Sequence, residues 1–229
     1  MGKGSDKSNS MNRATRTIVG TIGVILGIAG LSHGFFEILQ GNTPTNGLII
    51  QAIGPAQQMW DYGTEEAFTI IPNFLMTGGA TVIISLAIIV WSVGFVHKQY
   101  GATVFGLLFI LLFLAGGGIA AQVMFAPVTW AAATRINSPL DGWRKILPAG
   151  LRPALGAIWP FTLAIGSISF LIGLFIAITG YVPGESDPEI ILNICWALIF
   201  LGGLGLYLVT FVSGFAYDIQ KRTGSDRSI

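Results

Sequence analysis

The sequence predicts an all-α, polytopic membrane helix bundle, with four full spans and a helical hairpin broken by glycines. Three observations carry that prediction. Hydrophobic residues make up 52% of the 229 positions. Charged residues make up only 10%, against about 25% in a typical soluble domain, too few to cover a water-facing surface of this size. Apolar runs of about 20 residues, the length that crosses a hydrocarbon core, recur along the chain.

The elements follow in order. Residues 1–16 form a polar, basic tail with Lys3, Lys7, Arg13 and Arg16, expected to be disordered up to Asn12. The first apolar run, Thr17–Leu39, exceeds the about 7–15 residues of a secretory signal core. No small-x-small cleavage site sits at a suitable place, so it reads as an uncleaved first span. Gly23 with Gly27, and Gly30 with Gly34, are spaced for close helix approach. The loop Gly41–Thr69 is long enough to fold over the bundle mouth and contains the apolar piece Leu48–Ile53 and the turn Gly54-Pro55. Ile70–Val96 is the second span. Ala154–Gly180 and Ile190–Tyr217 are the last two, and residues 221–229 form a C-terminal tail. Residues 17–220 thus make a single transmembrane domain.

The stretch Ala102–Thr134 is too long for one untilted span and too short for two. Charge placement decides how it is read. The loops Gly41–Thr69 and Tyr181–Glu189 hold no Lys or Arg, but carry Asp61, Glu65, Glu66, Glu185, Asp187 and Glu189. Basic residues collect on the cytoplasmic side of short loops. If Ala102–Thr134 enters and leaves on one side, all 12 basic residues lie inside, with both termini. If it crosses once, giving five spans, seven fall outside. Gly116-Gly117-Gly118 offers the reversal, between helices at Ala102–Ala115 and Ile119–Thr134. A single tilted helix is the alternative.

The composition also excludes several classes. Net charge is +1 and the basic residues sit at membrane edges, so no nucleic-acid partner is expected. Cys195 is the one cysteine and can form no internal disulfide or CxxC site; it reads as a small buried residue. His33 and His97 lie at opposite membrane faces, so they cannot share a haem. No Walker loop, GxSxG elbow or metalloprotease motif is present. No cofactor or metal is expected.

His33 and Glu37 are the most informative pair. Four residues apart, they share a helix face. His33 falls about 24 Å along a helix begun at Thr17, in the outer part of the span. An ionisable side chain there faces protein or water. The pair can relay protons, contact a polar solute or fix helix packing at a wet interface. Gln40, Asn73, Glu65, Glu66 and Asn193 lie near the same face and with them would form an outward-facing polar pocket. Gln122 is the one strongly polar side chain deep in the hairpin, where it satisfies broken backbone or lines a pathway. At the inner face, Asn137–Leu151 mixes Trp143, Ile146 and Leu147 with Arg144 and Lys145. With Arg135 and Arg152, this segment suits contact with anionic lipid headgroups.

The strings HGFFEILQGN (His33–Asn42), TIIPN (Thr69–Asn73) and TRINSPLDGWRKILP (Thr134–Pro148) resemble an uncharacterised group of small bacterial multi-pass membrane proteins. That resemblance implies a bacterial cytoplasmic (inner) membrane and no particular activity. The first span, with its His33-Gly34 step, is also faintly similar to DoxX-like four-helix membrane proteins.

Three functional classes follow. The first is a small transport-related or accessory membrane subunit using the outward pocket. The second is a membrane enzyme or electron-transfer subunit acting on a quinone or lipid, which predicts a lipid-facing slot beside a polar cluster. The third is a structural packing subunit. Partners would be the bilayer and either a second copy of the chain or other membrane subunits.

Overall fold

A computed structural model describes residues 11–225; Lys3 and Lys7 in the basic tail, and Arg227, lie outside them. Among the described residues the chain is helical apart from one small sheet. Four helices are long and apolar enough to cross a membrane. They are α1 (Arg13–Leu39), α2 (Phe74–Gly94), α6 (Arg152–Thr179) and a continuous last helix. The last one runs from α7 (Pro188–Trp196) through a π-helical segment (Ala197–Gly205) into α8 (Leu206–Ser225). Asp187 starts it, its side chain accepting from the backbone N–H of Glu189 and Ile190, ahead of Pro188 at the first turn.

α1 is the central helix, with Ile18, Ile22 and Leu26 fully buried. Its glycine face meets α2. A Cβ on Gly34 would stand 2.8 Å from the carbonyl oxygen of Gly78, and one on Gly78 would stand 2.7 Å from that of Gly34. Gly27 lies against the Ser85 carbonyl in the same way, with 3.1 Å for its would-be Cβ. Without a hydrophobic effect between helices in lipid, such close packing is what holds spans together.

The stretch Ala102–Thr134 does not cross. α3 (Gly101–Leu114) runs in, the chain turns at Ala115–Gly118, and a second arm returns through a π-helical segment (Ala121–Phe125) into α4 (Ala126–Ala133). Gly116 and Gly118 take φ of +115° and +87°, which residues with side chains rarely adopt. The two ends of the hairpin meet: Asn137 Nδ2 donates to the His97 carbonyl at 2.8 Å. The five-span alternative is therefore replaced by four spans and a hairpin.

The same end gathers the termini of the other helices. The backbone N–H of Asn12 donates to the Ile136 carbonyl at 2.8 Å, and its side chain to the Arg135 carbonyl at 2.6 Å. Asn12 is only 1% exposed, so the expected disordered lead does not extend through it. Asp218, near the end of α8, accepts from the backbone N–H groups of Ala14 and Thr15 at the start of α1. Every described Lys and Arg belongs to this end of the bundle, and none to the loops at the other.

At the opposite end, the loop between α1 and α2 folds over the bundle. It holds β1 (Ile49–Gln51) and β2 (Glu66–Phe68), antiparallel with Ile50 opposite Ala67. The loop grips the hairpin tip, with Ile70 N–H donating to the Leu114 carbonyl at 3.0 Å.

A candidate pocket beneath the loop between the first two spans

His33 and Glu37 reach the same buried region from α1, being 3% and 0% exposed. The glycine turn of the hairpin lies directly on them. A Cβ on Gly118 would stand 2.7 Å from His33 Nε2, and one on Gly116 would stand 2.5 Å from Glu37 Oε1. Glycine at these positions lets main chain pass where a side chain would displace the ionisable groups.

From above, Glu65 closes the arrangement. Its Oε2 lies 2.9 Å from His33 Nε2. An ionised carboxylate only accepts, so Nε2 carries the proton and Nδ1, which has no partner, is the free ring nitrogen. Burial alone would push the Glu65 carboxyl up, but the neighbouring imidazole outweighs it and holds the group below the ordinary carboxylate range.

Glu37 is poorly served by hydrogen bonds. Thr81 Oγ1 has one hydrogen and lies 2.6 Å from the Ala115 carbonyl but 3.4 Å from Glu37 Oε2. The nearer acceptor takes it. Glu37 Oε1 has no partner. Thr77 Oγ1 also donates to the Ala115 carbonyl and is bonded at 2.6 Å to Thr69 Oγ1, so hydroxyls from α2 and the loop satisfy the turn.

His33 and Glu65 stand at the polar end of a cavity of about 120 Å³ between α1, the hairpin, α6 and α7. Its other walls are largely apolar, with Trp60, Phe125, Phe170 and Trp196 among them. Trp60 latches the loop to α6: Nε1 donates to the Ala177 carbonyl at 2.9 Å, and a Cβ on Gly180 would stand 2.4 Å from its ring. Cys195 also lines the cavity, its thiol donating to the Gly173 carbonyl at 3.3 Å.

Of the polar residues grouped with His33 from sequence, Glu65 alone joins it at this cavity. Gln40 binds the loop carbonyls of Gln51 and Ala52. Asn73 caps α2, its side chain accepting from Met76 N–H and donating to Asn42 Oδ1. Glu66 is exposed on β2 and Asn193 is exposed on α7. Among the described residues, no three His, Cys, Asp or Glu side chains gather closely enough to share a metal ion. The aromatic walls escaped the sequence reading; Trp60 carried the only signal, as an aromatic stranded in a polar loop.

A second, larger cavity of about 450 Å³ lies between the two arms of the hairpin. Leu107, Ile110, Val123, Pro127 and Trp130 line it, with Gln122. One helical wall separates the two cavities: Ala120, Ala121 and Phe125 face the first, while Gln122, Val123 and Ala126 face the second.

At the basic end, α5 (Asp141–Ile146) packs against α8, with Arg144, Lys145 and Ile146 exposed and Trp143 packed on Phe215 at a ring distance of 4.9 Å. Arg135 is exposed. Arg152 is largely engaged by the protein, donating to the Leu147 and Arg144 carbonyls at 2.8 and 2.7 Å, so it closes the C-terminal end of α5.

By helix length and hydropathy the chain is of the multi-pass membrane class, with an ion-paired cavity at one end. No family model, no curated protein and no solved structure matches it.

Proposed function

We propose that the chain is a small transport-related or accessory subunit of a bacterial cytoplasmic membrane, with both termini inside and an outward-facing pocket at His33 and Glu65 that holds a small ligand. The observation that carries this reading is the His33–Glu65 pair at the end of an apolar, aromatic cavity roofed by a long loop. Pockets of this make, apolar walls with a few convergent polar groups, are the usual form of small-molecule sites. At about 120 Å³ the cavity is slightly smaller than the about 150 Å³ that admits benzene, so the occupant is a compact solute. Its polar group would meet His33 or Glu65.

The orientation rests on the basic residues at one end of the bundle and the acidic loops at the other. On the inner face, Arg135, Arg144 and Lys145 beside exposed Ile146 would attract anionic lipid headgroups.

The test has two arms. Small molecules retained by the gently purified protein are extracted and compared among the wild type, His33→Ala and Glu65→Gln. A compound present in the first and missing from both variants is expected; identical extracts would overturn the pocket. A Thr64→Cys substitution in a Cys195→Ala background is expected to react with an impermeant thiol reagent on intact cells. Protection there would reverse the orientation.

A second reading is a membrane enzyme or electron-transfer subunit acting on a quinone or lipid. It is favoured by the apolar groove that lies one helix wall away from the ionisable cluster.

A further inference from the structure

We infer that the groove between the hairpin arms is a binding site for a lipid-soluble molecule with an extended apolar chain and a hydroxyl head, which donates a hydrogen bond at Gln122. The inference concerns the groove alone and does not depend on what His33 and Glu65 bind.

The walls define the chain. Leu107, Ile110 and Val123 are each more than half exposed on the surface of a helix pair at membrane depth, and the groove of about 450 Å³ opens among them. Groups that enter it from a bilayer are hydrocarbon. Trp130 closes one end, packed so tightly on α3 that a Cβ on Gly106 would stand 2.6 Å from its indole nitrogen.

Gln122 defines the head. It is the strongly polar side chain of the groove, and it is 94% buried, being 6% exposed. Its amide nitrogen donates to the Gly117 carbonyl at 3.3 Å, which fixes which edge of the amide is which. The other edge, Oε1, has no partner. A buried, unpartnered amide oxygen is costly and is satisfied only by a donor. The local backbone adds to the demand. Gln122 sits in a π-helical segment, a feature frequent at functional sites, and Pro127 follows without an N–H to give the preceding turn. A ligand head that only accepts, such as an ether or ester, has nothing to offer here. A hydroxyl does.

The probes are a diazirine-bearing long-chain alcohol and its methyl ether, photolysed with the full-length protein in mild detergent. Labelling is read on the tryptic peptide between Lys98 and Arg135. The alcohol is expected to label that peptide about tenfold more than the ether, the factor that one net hydrogen bond gives. Gln122→Leu should bring the alcohol down to the level of the ether. Val123→Trp should remove labelling by both; this side chain is 57% exposed, so the change fills the groove without touching the core. Equal labelling by alcohol and ether in the wild type would overturn the assignment of the head. Labelling that survives Val123→Trp would overturn the site. A dimer that Val123→Trp converts to a monomer would also overturn it, by making the groove an interface between copies of the chain.

Discussion

Asp218, near the end of the last helix, caps the beginning of the first. Its Oδ1 accepts from the Ala14 N–H at 3.1 Å, and its Oδ2 from the Thr15 N–H and hydroxyl at 2.9 and 2.8 Å. All three donors are buried with it. Helix N-termini leave unpaired N–H groups that normally draw on a local Ser, Thr, Asp or Asn. Here Asn12 precedes α1 but spends its side chain on the hairpin exit, and the carboxylate comes from across the bundle. Asp218→Ala should cost about 2–3 kcal/mol, since it strands buried donors as well as removing a cap. Thr15→Ala should cost about 1 kcal/mol. Thermal unfolding in one detergent checks both, and equal effects would deny Asp218 its role at the backbone.

The loop Gly41–Thr69 should respond to acid through Glu65. Its carboxyl titrates below the ordinary range because His33 outweighs the effect of burial. A depressed folded value contributes stability above the unfolded value of about 4.3 that is lost as the pH falls through the folded one. Protease resistance of the loop Gly41–Thr69 should therefore hold at neutral pH and decline in strongly acidic buffer. In Glu65→Gln most of that pH dependence should vanish. A wild-type loop equally resistant at about pH 6 and about pH 3 would contradict this.

The glycine turn gives a contrast that needs no functional assay. Gly118→Ala places a methyl on the His33 ring at a φ of +87°, so it combines a clash with a disfavoured backbone. A loss of about 2 kcal/mol or more is expected. Gly79, within α2, has nothing within 4 Å of a would-be Cβ. Gly79→Ala should be neutral or stabilising by up to about 1 kcal/mol. Unfolding midpoints that move together for the two would show that the turn is not seated on His33.

Gly34 and Gly78 face each other across α1 and α2, each carbonyl occupying the space of the other's missing side chain. Gly78→Val should force the helices apart and cost about 1–3 kcal/mol. Hydrogen exchange should then rise along α2 more than along α8. A uniform change would indicate general loosening rather than a broken contact.

The helices were legible because lipid imposes length and apolarity on anything that crosses it. The hairpin was legible for two separate reasons, the cluster Gly116–Gly118 and the basic residues flanking both arms, and its observed turn falls at those glycines. The sheet was not. Three-residue strands with only Ile50 and Ala67 fully buried carry too few positions to display a period of two. The site was half legible. His33 and Glu37 stand out as charges in an apolar helix, but Glu65 and Glu66 are adjacent and chemically alike. The loop geometry that sends one to His33 and the other to water appears only with the strand pairing. Asn73 illustrates a different miss: a polar residue just before an apolar run is a helix cap by position, and it caps α2.

The turn of the hairpin has a consequence for how the protein is made. The Ala115 carbonyl takes its hydrogen bonds from Thr77 and Thr81 of α2. Those hydroxyls leave the ribosome first, so the donors are already in the bilayer when the acceptor arrives. A hairpin synthesised ahead of α2 would have to enter oil with bare main chain at its tip. The order of segments along the gene is thus part of what makes a short, doubled-back pair of helices insertable.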